Sequence, residues 1–398
     1  MTTLQKARSD VLFEGLTPQP PDVVLSLIRA FAEDPRAGKI DLGVGVYKDE
    51  AGATPVFAAM KAAEARLLET QATKSYLGPE GDFGFLEAIA PVAFGHTLAQ
   101  TGMFGVQTPG GTGALRLAAE LANAGRPGAT LWLGTPSWPI HSQIFAEAGL
   151  NVRTFPQYDA AAQRLLFDEM LGALETAQAG DVVLLHGCCH NPSGADPDAD
   201  QWRQIARSLA ERCLVPLIDL AYQGLGEGLE PDALGLRAVL DQCESAMVAY
   251  SCDKNFGLYR ERTGALFVRA GRHQEAARTN VLKFARCGWS MPPDHGAAAA
   301  RIILEDADLA AQWRAELETC RQRLASVRQI LAKADPRLAP IGAQKGMFSI
   351  LPLNPDQVGR MRAAFGVYML GNGRINLAGL TPSNIEAFVR AFGACAEE

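Results

Sequence analysis

Four short polar segments, three of them directly after a run of apolar residues, carry residue types that could do chemistry together. Ser251-Cys252-Asp253-Lys254-Asn255-Phe256-Gly257 comes after Met247 to Tyr250. A lysine there is poorly placed for solvation, and desolvation lowers the pKa of an ammonium, which leaves a good amine nucleophile. Ser251 and Arg262 could hold a phosphate beside it, the arginine through a planar charged fork. Taken alone, Lys254 would read as a surface lysine; three further polar strand ends argue otherwise.

Asp219-Leu220-Ala221-Tyr222 follows Val215 to Ile218. A carboxylate at the end of such a run is costly to bury without a cation or hydrogen-bond donors. A protonated ring nitrogen of a ligand, an arginine or a helix N-terminus would each serve. His186-Gly187-Cys188-Cys189-His190-Asn191-Pro192 follows Val182 to Leu185. Two histidines and two cysteines so close suggest zinc, but adjacent cysteines point in different directions and the C-x2-C spacing is missing, so no metal is expected. A residue before proline is held out of the helical region. Asn191 therefore either projects its amide toward a ligand or forms an Asn-Pro turn. Gly110-Gly111-Thr112-Gly113 precedes the helical run Ala114 to Leu121. Glycine lets the backbone approach an anion, and a helix start offers free N–H groups to a phosphate. A tight loop needing glycine is the plainer alternative, and neither a P-loop nor a complete G-x-G-x-x-G is present.

The elements that must position these residues alternate between strand-like and helical runs from about position 49 to 311. Leu131 to Leu133, Val182 to Leu185, Val215 to Ile218, Met247 to Tyr250 and Leu266 to Val268 read as strands. That alternation predicts an α/β sheet with helices on both faces, whose ligands bind beyond the carboxyl ends of the strands. Val23, Val24, Leu27, Ile28 and Phe31 recur at helical spacing after a proline-punctuated opening. Trp313, Leu317, Cys320, Leu324, Val327 and Leu331 lie on one face of a long helix that leads into a smaller C-terminal part.

With 398 residues, 48% of them hydrophobic, the chain exceeds the about 250 to 300 residues at which one core stops growing, so two globular parts are expected. A formal charge of −7 argues against a polyanion-binding face and no nucleic acid is expected as partner. No run of about 18 apolar residues occurs, and Met1 to Asp10 carries no apolar signal segment, so no membrane role is expected. Eight scattered cysteines form no secretory pattern, which fits a reducing cytoplasm.

The segments GGTGALR, PSWPIH, HGCCHNPSG, DLAYQG, KNFGLYRERTG and GRINLAG occur in one order between about Asp41 and Leu380. Together they resemble the class I aspartate and aromatic aminotransferase family. GKIDLGVGVYKDE and LIDLAYQG are similar in wording to bacterial aromatic-amino-acid aminotransferases that also accept aspartate. The resemblance implies an α/β fold of the pyridoxal-phosphate transferase type I, with a mostly parallel sheet in a large domain over 49–311. An arm over 1–20 and a smaller α+β domain from 21–48 and 312–398 complete it. It also implies a cytoplasmic homodimer with shared active sites, which passes amino groups from aromatic amino acids, aspartate and glutamate to 2-oxo acids such as 2-oxoglutarate by a ping-pong route. A narrower aspartate aminotransferase and a non-catalytic binder of the cofactor or of amino acids are the competing readings.

Carried over residue by residue, the resemblance makes Lys254 the Schiff-base partner of pyridoxal 5′-phosphate and the proton carrier. Asp219, with His141 behind it, pairs with the pyridinium nitrogen; Asn191 and Tyr222 meet the phenolic oxygen; and Trp138 stacks on the ring. Gly111, Thr112, Ser251 and Arg262 take the phosphate, joined by Tyr76 of the neighbouring subunit. Arg374 with the backbone at Gly45 takes the substrate α-carboxylate, beside Trp138 and Asn191. Arg286 of the neighbour takes a distal carboxylate or swings aside for an aromatic ring, with Trp289 and Met291 lining the pocket or packing the subunit contact.

Three positions depart from the family pattern. Asp253 stands where relatives more often have a small hydroxyl residue, and a carboxylate there repels a phosphate or raises the pKa of the lysine-linked nitrogen unless it points away. Gly110 lacks a hydroxyl that some relatives contribute, and the stretch Cys287 to Met291 is unusual in detail.

Overall fold

The computed structural model describes residues 13–396. The arm expected over 1–20 therefore lies partly outside the described residues, and positions 16–22 run without helix or strand into helix α1 (Val23–Glu33). Asp22 caps that helix by accepting from the Leu25 N–H. Its apolar stripe is only partly used: Leu27 is buried, but Val23 and Leu25 are exposed.

Seven strands form the central sheet: β1 (Phe104–Pro109), β2 (Thr130–Thr135), β3 (Asn151–Pro156), β4 (Val182–His186), β5 (Val215–Leu220), β6 (Ser245–Ser251) and β7 (Thr263–Ala270). Their spatial order is β1-β7-β6-β5-β4-β2-β3. All neighbours run parallel except at β7, which is antiparallel to both β6 and β1. The five predicted apolar runs all fall inside strands. β1 and β3, which those runs omitted, are the two edges; β3 is largely solvent-facing, so no apolar run marks it.

The middle strands read as continuous apolar runs because both faces are covered. Val182, Leu184, Leu217 and Met247 point to one layer, where helices α2 (Gly110–Gly125) and α3 (Gln274–Gly288) pack through Leu115, Ala118, Val281 and Ala285. Val183, Leu185, Ile218 and Val248 point to the other, larger core. The long helix α4 (Ala307–Ala334) buries all six residues of the predicted stripe. Trp313 on α4 stacks on Phe256 at 4.4 Å and its indole N–H donates to the Asn255 carbonyl at 2.7 Å, so α4 braces the segment that carries Lys254.

Two small sheets pair distant parts of the chain, Ile40–Asp41 with Val367–Tyr368 and Phe348–Ile350 with Arg374–Asn376. All eight cysteines are free. Among the described residues no helix is long and apolar enough to cross a membrane.

Candidate active site

The parallel strands deliver their carboxyl ends to one cavity of about 260 Å³. Register sets which residues arrive together: Asp219 lies opposite His186 on β4 and Ala249 on β6, two residues before Ser251. Gly45, Gly111, Thr112, Trp138, Asn191, Asp219, Tyr222, Ser251, Lys254, Arg262 and Arg374 all line the cavity. These are eleven of the thirteen residues that sequence reasoning placed in the site.

At the centre, Lys254 Nζ stands 5.2 Å from the centroid of the Tyr222 ring, and among the described residues it has no ion-pair partner within 4 Å. Burial lowers the Lys254 pKa, against the opposing charges of Asp253 and Asp219. Burial pushes the carboxyl of Asp219 up, but the hydrogen bond and charge of His141, with the charges of His186 and Lys254, together outweigh it and hold the group below its ordinary value. His141 Nε2 is 3.0 Å from Asp219 Oδ2, and Ser137 Oγ bridges His141 Nδ1 at 2.9 Å and His186 Nε2 at 3.2 Å. Asn191 Nδ2 donates to the Tyr222 hydroxyl at 3.4 Å, while Asn191 Oδ1 is buried without a partner. Burial, and then the charge of Asp219, raises the Tyr222 phenol far above its usual range.

One end of the cavity is suited to an anion. Helix α2 begins at Gly110, whose N–H donates to the Arg262 carbonyl at 2.9 Å, and the next two residues, Gly111 and Thr112, line the space beside Ser251 and Arg262 with helix-start N–H groups. A Cβ on Gly111 would stand 3.0 Å from that of Ser251 and fill this cradle. Gly110 has φ +68°, and a Cβ there would lie 2.5 Å from Nη2 of Arg262. A hydroxyl-bearing side chain at Gly110 would have to displace the Arg262 guanidinium and adopt a left-handed backbone. Asp253 does not point away: Oδ2 accepts from Arg262 Nη1 at 2.5 Å.

The other end holds a second cation. Arg374 is buried, donates through Nη2 to the Gly43 carbonyl at 2.5 Å, and lies over the Phe348 ring at 4.6 Å, while its Nε has no partner. Burial lowers its pKa. Asn376, two residues on, donates to the carbonyls of Val44 and Val46 at 2.6 and 2.7 Å and so fixes the loop carrying Gly45.

Tyr76 and Arg286, the two residues assigned to a neighbouring subunit, lie outside this cavity. Tyr76 is 92% exposed, and Arg286, at the exposed end of α3, donates to Ser290 Oγ at 2.5 Å. Sequence reasoning missed Phe348 and the role of His186 as neighbour of His141; an apolar residue in a core-like run carries no signal, and His186 drew attention only as part of a zinc pattern. The Cys188 and Cys189 sulfurs do lie within 4.8 Å of an Asp232 oxygen. That carboxylate accepts from the N–H groups of Gly224, Gly226 and Glu227, and neither histidine joins the group.

The fold and the residues gathered at its strand ends define a pyridoxal-phosphate aminotransferase of the mostly parallel α/β type. The chain belongs to the aminotransferase class I and II family, which it matches over residues 37–392, and it is a transaminase. It is 51% identical to a tyrosine aminotransferase of Rhizobium meliloti (strain 1021), over 93% of this chain and 96% of that protein. It is 44% identical to an aspartate aminotransferase of Escherichia coli (strain K12), over 96% of this chain and 100% of that protein. The solved aromatic-amino-acid aminotransferase of Burkholderia pseudomallei, covalently bound to pyridoxal phosphate, superimposes with a TM-score of 0.93 at 36% identity, covering 96% of this chain and 99% of that one.

Proposed function

We propose that this transaminase moves amino groups from aromatic amino acids, and from aspartate and glutamate, to 2-oxo acids such as 2-oxoglutarate. The observation that carries the reading is a single cavity with a half-buried lysine at its centre that has no ion-pair partner among the described residues, an anion seat at one end and a buried, incompletely paired arginine at the other. The relatives named for tyrosine and for aspartate support both substrate types.

The residues present fit pyridoxal 5′-phosphate. The cradle at Gly111 admits a phosphate that a side chain would exclude, and the orphaned Asn191 Oδ1 is an acceptor awaiting a donor. Gly111, Thr112, Ser251 and Arg262 would hold the phosphate, Asp219 the ring nitrogen, Asn191 and Tyr222 the ring oxygen, and Trp138 the ring face. When bound, the cofactor supplies an electron sink that acidifies the Cα–H of an amino acid.

The chain's own groups do the rest. Lys254 Nζ, biased toward the free amine by burial, is the base that takes and returns the Cα proton. Asp219, kept anionic by His141, holds a proton on the group it faces. Arg374 forks onto the substrate α-carboxylate beside Gly45 and orients Cα toward Lys254. Each amino acid leaves as its 2-oxo acid before the second substrate enters, a ping-pong order.

Tyr76 and Arg286, both away from the cavity of their own chain, support a homodimer in which each subunit completes its partner's site. The central sheet, confined between Phe104 and Ala270, and the small sheets joining 40–41 to 367–368 support a large domain over 49–311 and a small one from 21–48 and 312–398. A cytoplasmic location agrees with eight free cysteines. Assaying aspartate, tyrosine, phenylalanine and tryptophan as donors to 2-oxoglutarate tests the reading: aromatic donors should be good and aspartate usable. Inactive aromatic donors would reduce the enzyme to a narrow aspartate aminotransferase.

A further inference from the structure

Asp253 puts a carboxylate at the end of the cavity where the neighbouring groups suit an anion. Its Oδ2 lies 2.5 Å from Arg262 Nη1, its Oδ1 is buried without a partner, and its backbone N–H donates to Ser251 Oγ at 3.3 Å. The pair is unevenly buried, with the Asp253 side chain 9% exposed and that of Arg262 39%. Arg262 itself starts from a left-handed backbone at φ +53°, and its Nη1 also donates to the Tyr259 carbonyl at 3.2 Å. Carboxylate and carbonyl thus grip the guanidinium from behind, while its Nη2 rests against Gly110 at the start of α2.

Two effects on a bound phosphate follow, and they oppose each other. The grip orders a long side chain that would otherwise lose rotamer freedom on binding. The fixed negative charge repels a phosphate and neutralises part of the arginine that attracts it. Ordering one side chain is a small gain, whereas a like charge lining the same partly closed end of the cavity as the phosphate-holding groups is a large cost, so repulsion wins. Resting on the reading that the phosphate of pyridoxal phosphate seats here, we propose that Asp253 is a positioning residue that locks Arg262 in the phosphate seat and holds cofactor affinity below what the seat alone would reach.

Asp253→Asn separates the two effects, because the amide oxygen still accepts from Arg262 while the charge is gone. Asp253→Ser removes both. Equilibrium titrations by fluorescence in a Lys254→Ala background, where no covalent link masks the noncovalent hold, should give a dissociation constant for pyridoxal phosphate at least about tenfold lower with Asn than with Asp253, and an intermediate one with Ser. Pyridoxal, which lacks the phosphate, should bind all three within about twofold, as its contacts lie elsewhere. Equal or weaker binding by the Asn variant, or a parallel shift for pyridoxal, overturns the proposal, and a Ser variant that matches Asn overturns the locking role. If the chain with Asp253 intact took up no pyridoxal phosphate, the functional reading would fall and this inference with it. Equal affinities in proteins that all bind would overturn this inference alone.

Discussion

His141 Nε2 sits 3.0 Å from Asp219 Oδ2, and the histidine is wholly buried. A buried carboxylate would normally be pushed toward its neutral form, but this contact holds Asp219 ionised and aims its remaining capacity into the cavity. Asp219→Asn should keep the fold and the cofactor yet lower kcat/KM for every donor by roughly 30-fold or more, since truncating a buried charged pair costs about 2 to 5 kcal/mol. Full activity with normal cofactor fluorescence would remove the electrostatic role of Asp219.

Lys254→Ala should retain the cofactor noncovalently and lose transamination, because the anion seat and Asp219 remain while the amine is gone. Borohydride reduction of the unsubstituted enzyme should leave the cofactor on the peptide containing Lys254. A label on another lysine would relocate the centre.

Arg374 is a buried cation whose Nε finds no acceptor, so it is held ready at a cost to the empty protein. Arg374→Met should preserve packing over Phe348 and match or exceed the parent Tm of the apoprotein. The same change should reduce kcat/KM by roughly 30-fold or more for aromatic and acidic donors alike. A loss confined to one donor type would assign the α-carboxylate to another group.

Arg286→Leu should cut kcat/KM for aspartate by at least about tenfold, near 1.4 kcal/mol, and change that for phenylalanine much less. Only the acidic side chain needs the cation, and a long arginine stem can leave when a ring arrives. Equal losses would make Arg286 structural.

Burial, then the like charge of His141, lowers His186 from 6.5 to about 3. The unfolded chain takes up this proton near pH 6.5 and the folded chain does not, so the stability His186 contributes is present above pH 6.5 and is lost as pH falls toward 3. The slope is about 1.4 kcal/mol per pH unit for one group. Asp196, raised from 3.8 to about 6 by burial, works in the opposite sense between those two values. His186→Asn should therefore flatten the fall in stability between pH 6 and pH 4 relative to the parent, as read from urea melts. Parallel curves would show that His186 takes up its proton in the folded state as well.

The sequence by itself determined the sheet interior, the long helix and the residues at the strand ends. Each is written locally: Val182 to Leu185 as a run buried on both faces, Trp313 to Leu331 as a helical stripe, Lys254, Asp219 and Asn191 as members of the polar segments that follow such runs. The edge strand β3 escaped because a strand largely facing solvent needs no apolar run, and β1 because its buried positions include the hydrogen-bonded polar residues Gln107 and Thr108. The grip of Asp253 on Arg262, the antiparallel course of β7 and the approach of Arg374 to Gly43 were decided only in three dimensions. Each joins groups from separate elements, and the direction in which a charged side chain turns depends on which partner relieves its desolvation, a choice made after the strands have packed.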